Sequence, residues 1–173
     1  MERVTAVLLS VCVIAALLAL VGLGWRARLK RQQQFGELPP APAVLSPASL
    51  LVEGQYVVTT TEGDWLDRIA VHSLGVKSNA ALSIHAQGVL LRRTGARDVF
   101  IPVGALNRVR TESGMAGKFV EKEGLVVLSW GLAGHGVDTA FRTRHAAEKA
   151  PLVEALAELL PTEPRNGDIK DRQ

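Results

Sequence analysis

Residues 125–160 read LVVLSWGLAGHGVDTAFRTRHAAEKAPLVEALAELL, and this stretch decides the fold. Leu125 to Trp130 is a nearly continuous apolar run, the pattern of a strand buried on both faces. A glycine-rich link, Gly131-Leu132-Ala133-Gly134-His135-Gly136, leads into a second strand over residues 137–143. After Arg144 the period changes. Leu152, Leu156, Leu159 and Leu160 fall on one helical face, with Val153 beside them and Glu154 and Glu158 opposite. Pro151 either begins this helix as a first-turn residue or kinks a longer one starting at His145. Strands followed by one amphipathic helix place the domain in the α+β class, mostly β.

Upstream, from Gly54, short β-branched runs alternate with glycine turns. Strands are expected over residues 56–61, 82–86, 89–93, 97–101 and 106–111, with turns at Gln87-Gly88, Thr94-Gly95 and Glu123-Gly124. Residues 64–79 fit either a strand extension or a helical turn. The sum is an antiparallel β-sandwich or barrel of about seven strands over residues 50–160, closed by the C-terminal helix. Trp130 and Phe141 are expected in its core, Phe141 anchoring the helix, and Trp65 beside Leu66 is expected to cover a barrel end.

The N-terminus is of a different kind. After a short lead (residues 1–3), residues 4–25 carry no charge, and Arg26, Arg28, Lys30 and Arg31 follow directly. A helix of this length is about 33 Å long, enough for a hydrocarbon core of about 30 Å. A cleaved signal peptide fits less well. The apolar run is too long, and the only small-x-small triplet near its end, Gly22-Leu23-Gly24, is backed by Trp25 and four cations. Those cations outnumber Arg3 on the other flank, so the N-terminus is expected outside and the domain at the cytoplasmic face. Trp25, Arg26, Arg28, Lys30 and Arg31 are the expected membrane-surface contacts. Ala15 and Ala19 form a small-xxx-small pair of the kind that lets anchors pack, a route to a homo-oligomer.

Residues 26–49 form a basic, then proline-rich linker, with Pro39, Pro40, Pro42 and Pro47 favouring extended chain. It reads as a spacer holding the domain off the bilayer. The tail, residues 161–173, is polar and expected to be disordered. Residues 1–37 hold five Lys/Arg against two Asp/Glu, which is the whole net charge of +3; residues 50–160 hold twelve of each. The domain therefore shows no basic stripe along the chain, and nucleic acid is not an expected partner. The single cysteine, Cys12, lies in the anchor, so the domain has neither disulfides nor a cysteine zinc site.

The runs Glu53-Gly54-Gln55-Tyr56-Val57-Val58-Thr59-Thr60, Asp64-Trp65-Leu66-Asp67-Arg68, Gly114-Met115-Ala116-Gly117-Lys118 and Asp138-Thr139-Ala140-Phe141-Arg142 resemble a family of actinobacterial single-pass membrane proteins. Those proteins carry a bacterial pleckstrin-homology-like (PH-like) domain behind an N-terminal anchor, and the family brings no settled biochemical activity with it. Eukaryotic relatives that bind phosphoinositides place Lys and Arg in the first strand–strand loop. Here that loop, Glu62-Gly63-Asp64-Trp65-Leu66-Asp67, is acidic, so headgroup binding there is not expected.

The remaining motifs carry little chemistry. Gly114 to Lys118 has the wrong spacing for a phosphate loop, Phe119 replaces the Ser/Thr, and strand-like sequence follows. His72, His85, His135 and His145 show no metal-ligand spacing. Glu62, Asp64 and Asp67 lack the ligand density of a calcium loop. No catalytic residue, metal or cofactor is expected. The expectation is a non-catalytic, membrane-anchored interaction or scaffold module with a protein partner. Trp65, Met115, Lys118 and His135 are the candidate contacts, His135 exposed at a hairpin tip. An accessory subunit of a membrane transport or export system, and a lipid- or small-ligand-binding domain, are the alternatives.

Overall fold

The computed structural model describes residues 2–115, 118–119 and 124–160. The expected tail (161–173), Ala116 and Gly117 of the Gly114–Lys118 run, and Glu123 of the expected turn lie outside the described residues. Helix α1 spans Glu2–Arg31. Within it Val7–Ala27 is long and apolar enough to cross a membrane, with mean hydropathy 2.8 and no burial against the rest of the molecule. Among the described residues ten strands follow: β1 (Leu50–Thr61), β2 (Asp64–Arg68), β3 (Ser78–His85), β4 (Gly88–Arg93), β5 (Val99–Pro102), β6 (Leu106–Glu112), β7 (Gly114–Met115), β8 (Lys118–Phe119), β9 (Leu125–Leu132) and β10 (His135–Thr143). Helix α2 (Lys149–Glu158) comes last. A helical turn over Ala146–Glu148 precedes it, capped reciprocally by His145 and Glu148, so Pro151 sits in the first turn of α2, where its missing N–H costs nothing.

The main sheet is antiparallel, in the order β5-β4-β3-β1-β10-β9-β6, with β2 as a short arm on β1. Seven strands thus form the path, as the sequence pattern predicts. Strand β1 belongs to both halves: Leu50 to Tyr56 pair with β3, and Gly54 to Thr61 pair with β10. Its pairing register shifts between Tyr56 and Val58, which lets the strand turn the corner. Gly54 pairs with both Ala80 and Thr143, and a side chain there would collide with the Arg142 carbonyl and the Phe141 ring.

The sheet does not close into a barrel. β5 and β6 end it on opposite sides and do not pair, because Pro102 and the helical turn Val103–Ala105 swing the chain around a corner between them. Helix α2 fills the gap: Leu152 and Leu156 are buried in one cluster with Trp130, Phe141, Leu128 and Leu106. The core is fully wired as well as apolar. Trp130 Nε1 donates to Thr139 Oγ1 (2.9 Å), which meets Thr59 Oγ1 (2.8 Å), and that hydroxyl meets the Tyr56 hydroxyl (2.6 Å). Tyr56 in turn donates to the Leu74 carbonyl (2.7 Å). Burial raises the Tyr56 phenol well above its ordinary pKa, so it remains a donor.

The linker differs from the spacer read in the sequence. Gln32, Phe35 and Leu38 are buried, the last two inside the main core cluster. Gln32 Nε2 donates to the Arg68 carbonyl (2.8 Å), and its Oε1 accepts the Ala70 amide (2.6 Å). Further along, His85 Nδ1 meets the Ser46 carbonyl (2.7 Å), Ser46 N donates to Gln87 Oε1 (3.1 Å), and Ser49 N donates to the Ile84 carbonyl (2.9 Å). The proline stretch between these fastenings lines a groove with Leu90 and Phe100 on the outer side of β4 and β5. Prolines predict extended chain correctly, but extended chain can lie flat on a sheet as readily as it can stand free. Residues 32–49 are a strap.

Candidate interaction surface

At the end of the sheet where α1 joins the domain, the junction is built from three connections. Phe35 packs edge-on against the His135 ring, with centroids 5.4 Å apart and planes at 65°. His72 meets the Gly36 carbonyl, and Gln32 holds the chain after β2. His135 is exposed at the hairpin, as expected, and is the first residue of β10. The tight turn is Ala133-Gly134, both at positive φ (49° and 83°). Gly131 and Gly136 lie within strands, and a side chain at Gly136 would strike Glu62.

The other expected contacts fall apart in space. Trp65 (49% exposed) and Leu66 (60%) stand out from β2 and cover no end of the sheet, contrary to the sequence reading. The five-residue β2 is too short to fold back over the core, and Asp64 Oδ1 instead holds the turn by accepting the Leu66 and Asp67 amides (3.0 and 3.2 Å). Met115 is not a surface contact. It is buried with Val57, Val58, Leu125, Val127 and Ala140 in a second apolar cluster, on the outer side of β1, β9 and β10. Lys118 lies in β8, which pairs with β7. On α1, Trp25 is 56% exposed, and Arg26 and Lys30 are exposed near its end, with Arg28 and Arg31 in the same last turns.

One carboxylate is strongly held. Asp138 accepts two N–H groups of Arg110 (3.1 and 2.8 Å), the Ser129 hydroxyl (2.6 Å) and the Gly63 amide (3.3 Å). Burial alone would raise its pKa, but these donors and the Arg110 charge outweigh it and hold the carboxyl below its ordinary value. Arg110, bound also to Glu112, is raised chiefly by the hydrogen bond to Asp138. Every oxygen is occupied by the protein itself. The cluster ties β6, β9, β10 and the β1–β2 turn together and offers no unoccupied nucleophile or base. Among the described residues no group of histidine, cysteine or carboxylate side chains is placed to hold a metal ion.

At the corner of β1 lies an open groove of about 750 Å³. Arg92 of β4, Thr94 just after it, Gln55 of β1, Arg142 of β10 and Arg144 just past it form its walls, with Lys149 at the start of α2. Arg93 belongs to its floor. The guanidinium is spent on the Ser73, Val76 and Arg97 carbonyls and the Ser78 hydroxyl, and it stacks on the Tyr56 ring at 3.8 Å. Burial lowers its pKa, the Tyr56 ring and Asp98 opposing. Sequence reasoning missed this groove. Its cations come from positions 92–93 and 142–149, some fifty apart in the chain.

A seven-strand antiparallel path that shares its first long strand between two halves, filled by a single C-terminal helix, is a PH-like fold. The chain belongs to the family described as Bacterial PH domain-like, which matches residues 35–157. That match begins at Phe35, so the strap is counted with the domain in the family as it is in the structure. No curated protein matches this chain. Among solved structures the chain is similar to one of Vav1 inhibited by an allosteric inhibitor, at 16% identity and a TM-score of 0.40. That likeness covers 78% of this chain and 33% of the other, and it carries no functional argument.

Proposed function

We propose that this protein is a single-pass, membrane-anchored, non-catalytic interaction module, with its PH-like domain held against the cytoplasmic face. Membership of a PH-like family supports the non-catalytic reading. The observation that carries the anchoring is the distance between the apolar span and the core. Gln32 is buried five residues after Ala27, which ends the span. Five helical residues advance the chain about 7.5 Å. The headgroup layer on one side of a bilayer is about 5–7 Å thick. A helix inserted over Val7–Ala27 therefore leaves the domain no room to swing free. Arg26, Arg28, Lys30 and Arg31 would lie among anionic headgroups, and their excess over Arg3 favours the cytoplasmic side. The exposed pair Trp65-Leu66, just before the Gln32 anchorage, suits the boundary between headgroups and water.

Two experiments test this. The full chain should resist alkaline extraction from membranes, and a cytoplasm-dependent reporter fused after Arg172 should be active. Release into the soluble fraction would refute anchoring, and activity of a surface-dependent reporter at the same position would reverse the orientation.

A further inference from the structure

Residues 50–160 carry equal numbers of acidic and basic side chains, twelve of each, and five of the basic ones meet at one groove. Arg92, Arg93, Arg142, Arg144 and Lys149 line the groove at the β1 corner, and among the described residues Glu53 is the one carboxylate in its lining. Glu53 is paired with Arg144, but both side chains are about two-thirds exposed (65% and 66%), so water competes for the pair and another carboxylate can displace it. Arg92 is exposed and stands at the other rim, beside the strap. Between these rims, Gln55, Asn79, Thr94 and Thr143 supply neutral hydrogen-bonding groups.

We infer that this groove docks an extended, acidic segment of a partner protein, its carboxylates engaging Arg92 at one rim and Arg144 at the other. The inference rests on the reading of the domain as an interaction module and names the chemistry of its partner. Three observations favour a peptide. First, the groove is open and elongated, running across four elements, β4, β3, β1 and β10, to the start of α2, a shape for a chain rather than for a compact ion. Second, arginine recognises carboxylates with two parallel donors, and three of the lining cations outside the floor are arginines. Third, Arg142 lies seven residues along β10 from His135, at the junction with α1. At about 3.3 Å per residue this is about 23 Å. The groove and the junction with α1 therefore lie at opposite ends of the β1–β10 ladder.

The test uses the full chain in phosphatidylcholine nanodiscs and a fluorescein-labelled decapeptide of alternating glutamate and serine. The expected result is saturable binding that is lost when glutamine replaces glutamate in the probe, and that weakens steeply between about 0.05 M and 0.5 M salt. Charge reversal by Arg92→Glu with Arg144→Glu should weaken it at least about tenfold, and Glu53→Gln should tighten it about two- to threefold. The unfolding temperature of each variant is measured alongside. Should the double variant unfold, Arg92→Glu alone, at an exposed position, is read instead.

Absence of saturable binding, equal binding of the glutamine probe, or indifference to the charge reversals would overturn the proposal. So would binding of phosphatidylglycerol vesicles, but not of the peptide, through Arg92 and Arg144. Alkaline extraction is scored separately, so a failed peptide assay with the chain still embedded would remove the groove's occupant and leave the anchoring intact.

Discussion

The two ends of the β1–β10 ladder have been finished in opposite ways. At the end where α1 arrives, the chain folds back on itself: Phe35 and Leu38 enter the core, Gln32 uses both ends of its amide, and His135 covers the Phe35 ring. At the other end the sheet turns a corner at Gly54 and leaves a cation-lined groove open to water. One end is closed by apolar packing and satisfied hydrogen bonds, the other is an open groove rimmed by charged side chains. A protein surface that is sealed by its own chain is a structural joint. One that gathers like charges without filling the space between them is suited to a ligand.

The comparison can be broken most directly at the sealed end. Phe35→Ala should lower stability by about 3–4 kcal/mol, the usual cost of emptying a buried phenylalanine site. The check is chemical unfolding of the full chain in nanodiscs, and a loss below about 1 kcal/mol would mean that Phe35 is not core. Asp138→Asn comes next. It removes the charge that Arg110 and Ser129 converge on, and with Asp138 almost fully buried but Arg110 a quarter exposed the loss should be about 2 kcal/mol.

That pair also predicts an acid limb. The folded Asp138 pKa lies below its unfolded value of about 3.9, so its stabilisation is complete above that value. It is lost as pH falls through the lower, folded value. The wild-type stability should therefore fall below about pH 4 more steeply than that of Asp138→Asn. Identical acid limbs would remove Asp138 from the account of folding.

Gln32→Ala should cost about 1 kcal/mol, because it leaves the half-buried Ala70 amide without its acceptor. At the open end, Arg92→Glu should change stability by no more than about 0.5 kcal/mol, while changing peptide binding. A large destabilisation there would make the groove a second structural joint and erase the contrast.

What the sequence disclosed follows the same division between local and distant. Periodicity is local, so the buried strand at Leu125 to Trp130 and the leucine face of α2 were legible. The core positions of Trp130 and Phe141 were legible for the same reason. Trp65 and Met115 were misread because side-chain size does not say which face of a short strand is covered. Met115 is buried by packing against Val58 and Val127, far from it in the chain. The strap was hidden by its prolines, since only two apolar residues, Phe35 and Leu38, reveal that it packs. The groove left no sequence signal at all. Its arginines come from positions 92, 142 and 144, and only the pairing of β1 with both β3 and β10 brings them together.

The closure of the anchor-side end rests on the strap being fastened rather than free, and hydrogen–deuterium exchange on the full chain in nanodiscs reads this at one atom. The Ala70 amide, whose acceptor is the Gln32 side chain, should exchange slowly in the wild type and at close to the free-chain rate in Gln32→Ala. Fast exchange at Ala70 in the wild type would show that the domain hangs from a loose spacer and is not seated on its anchor.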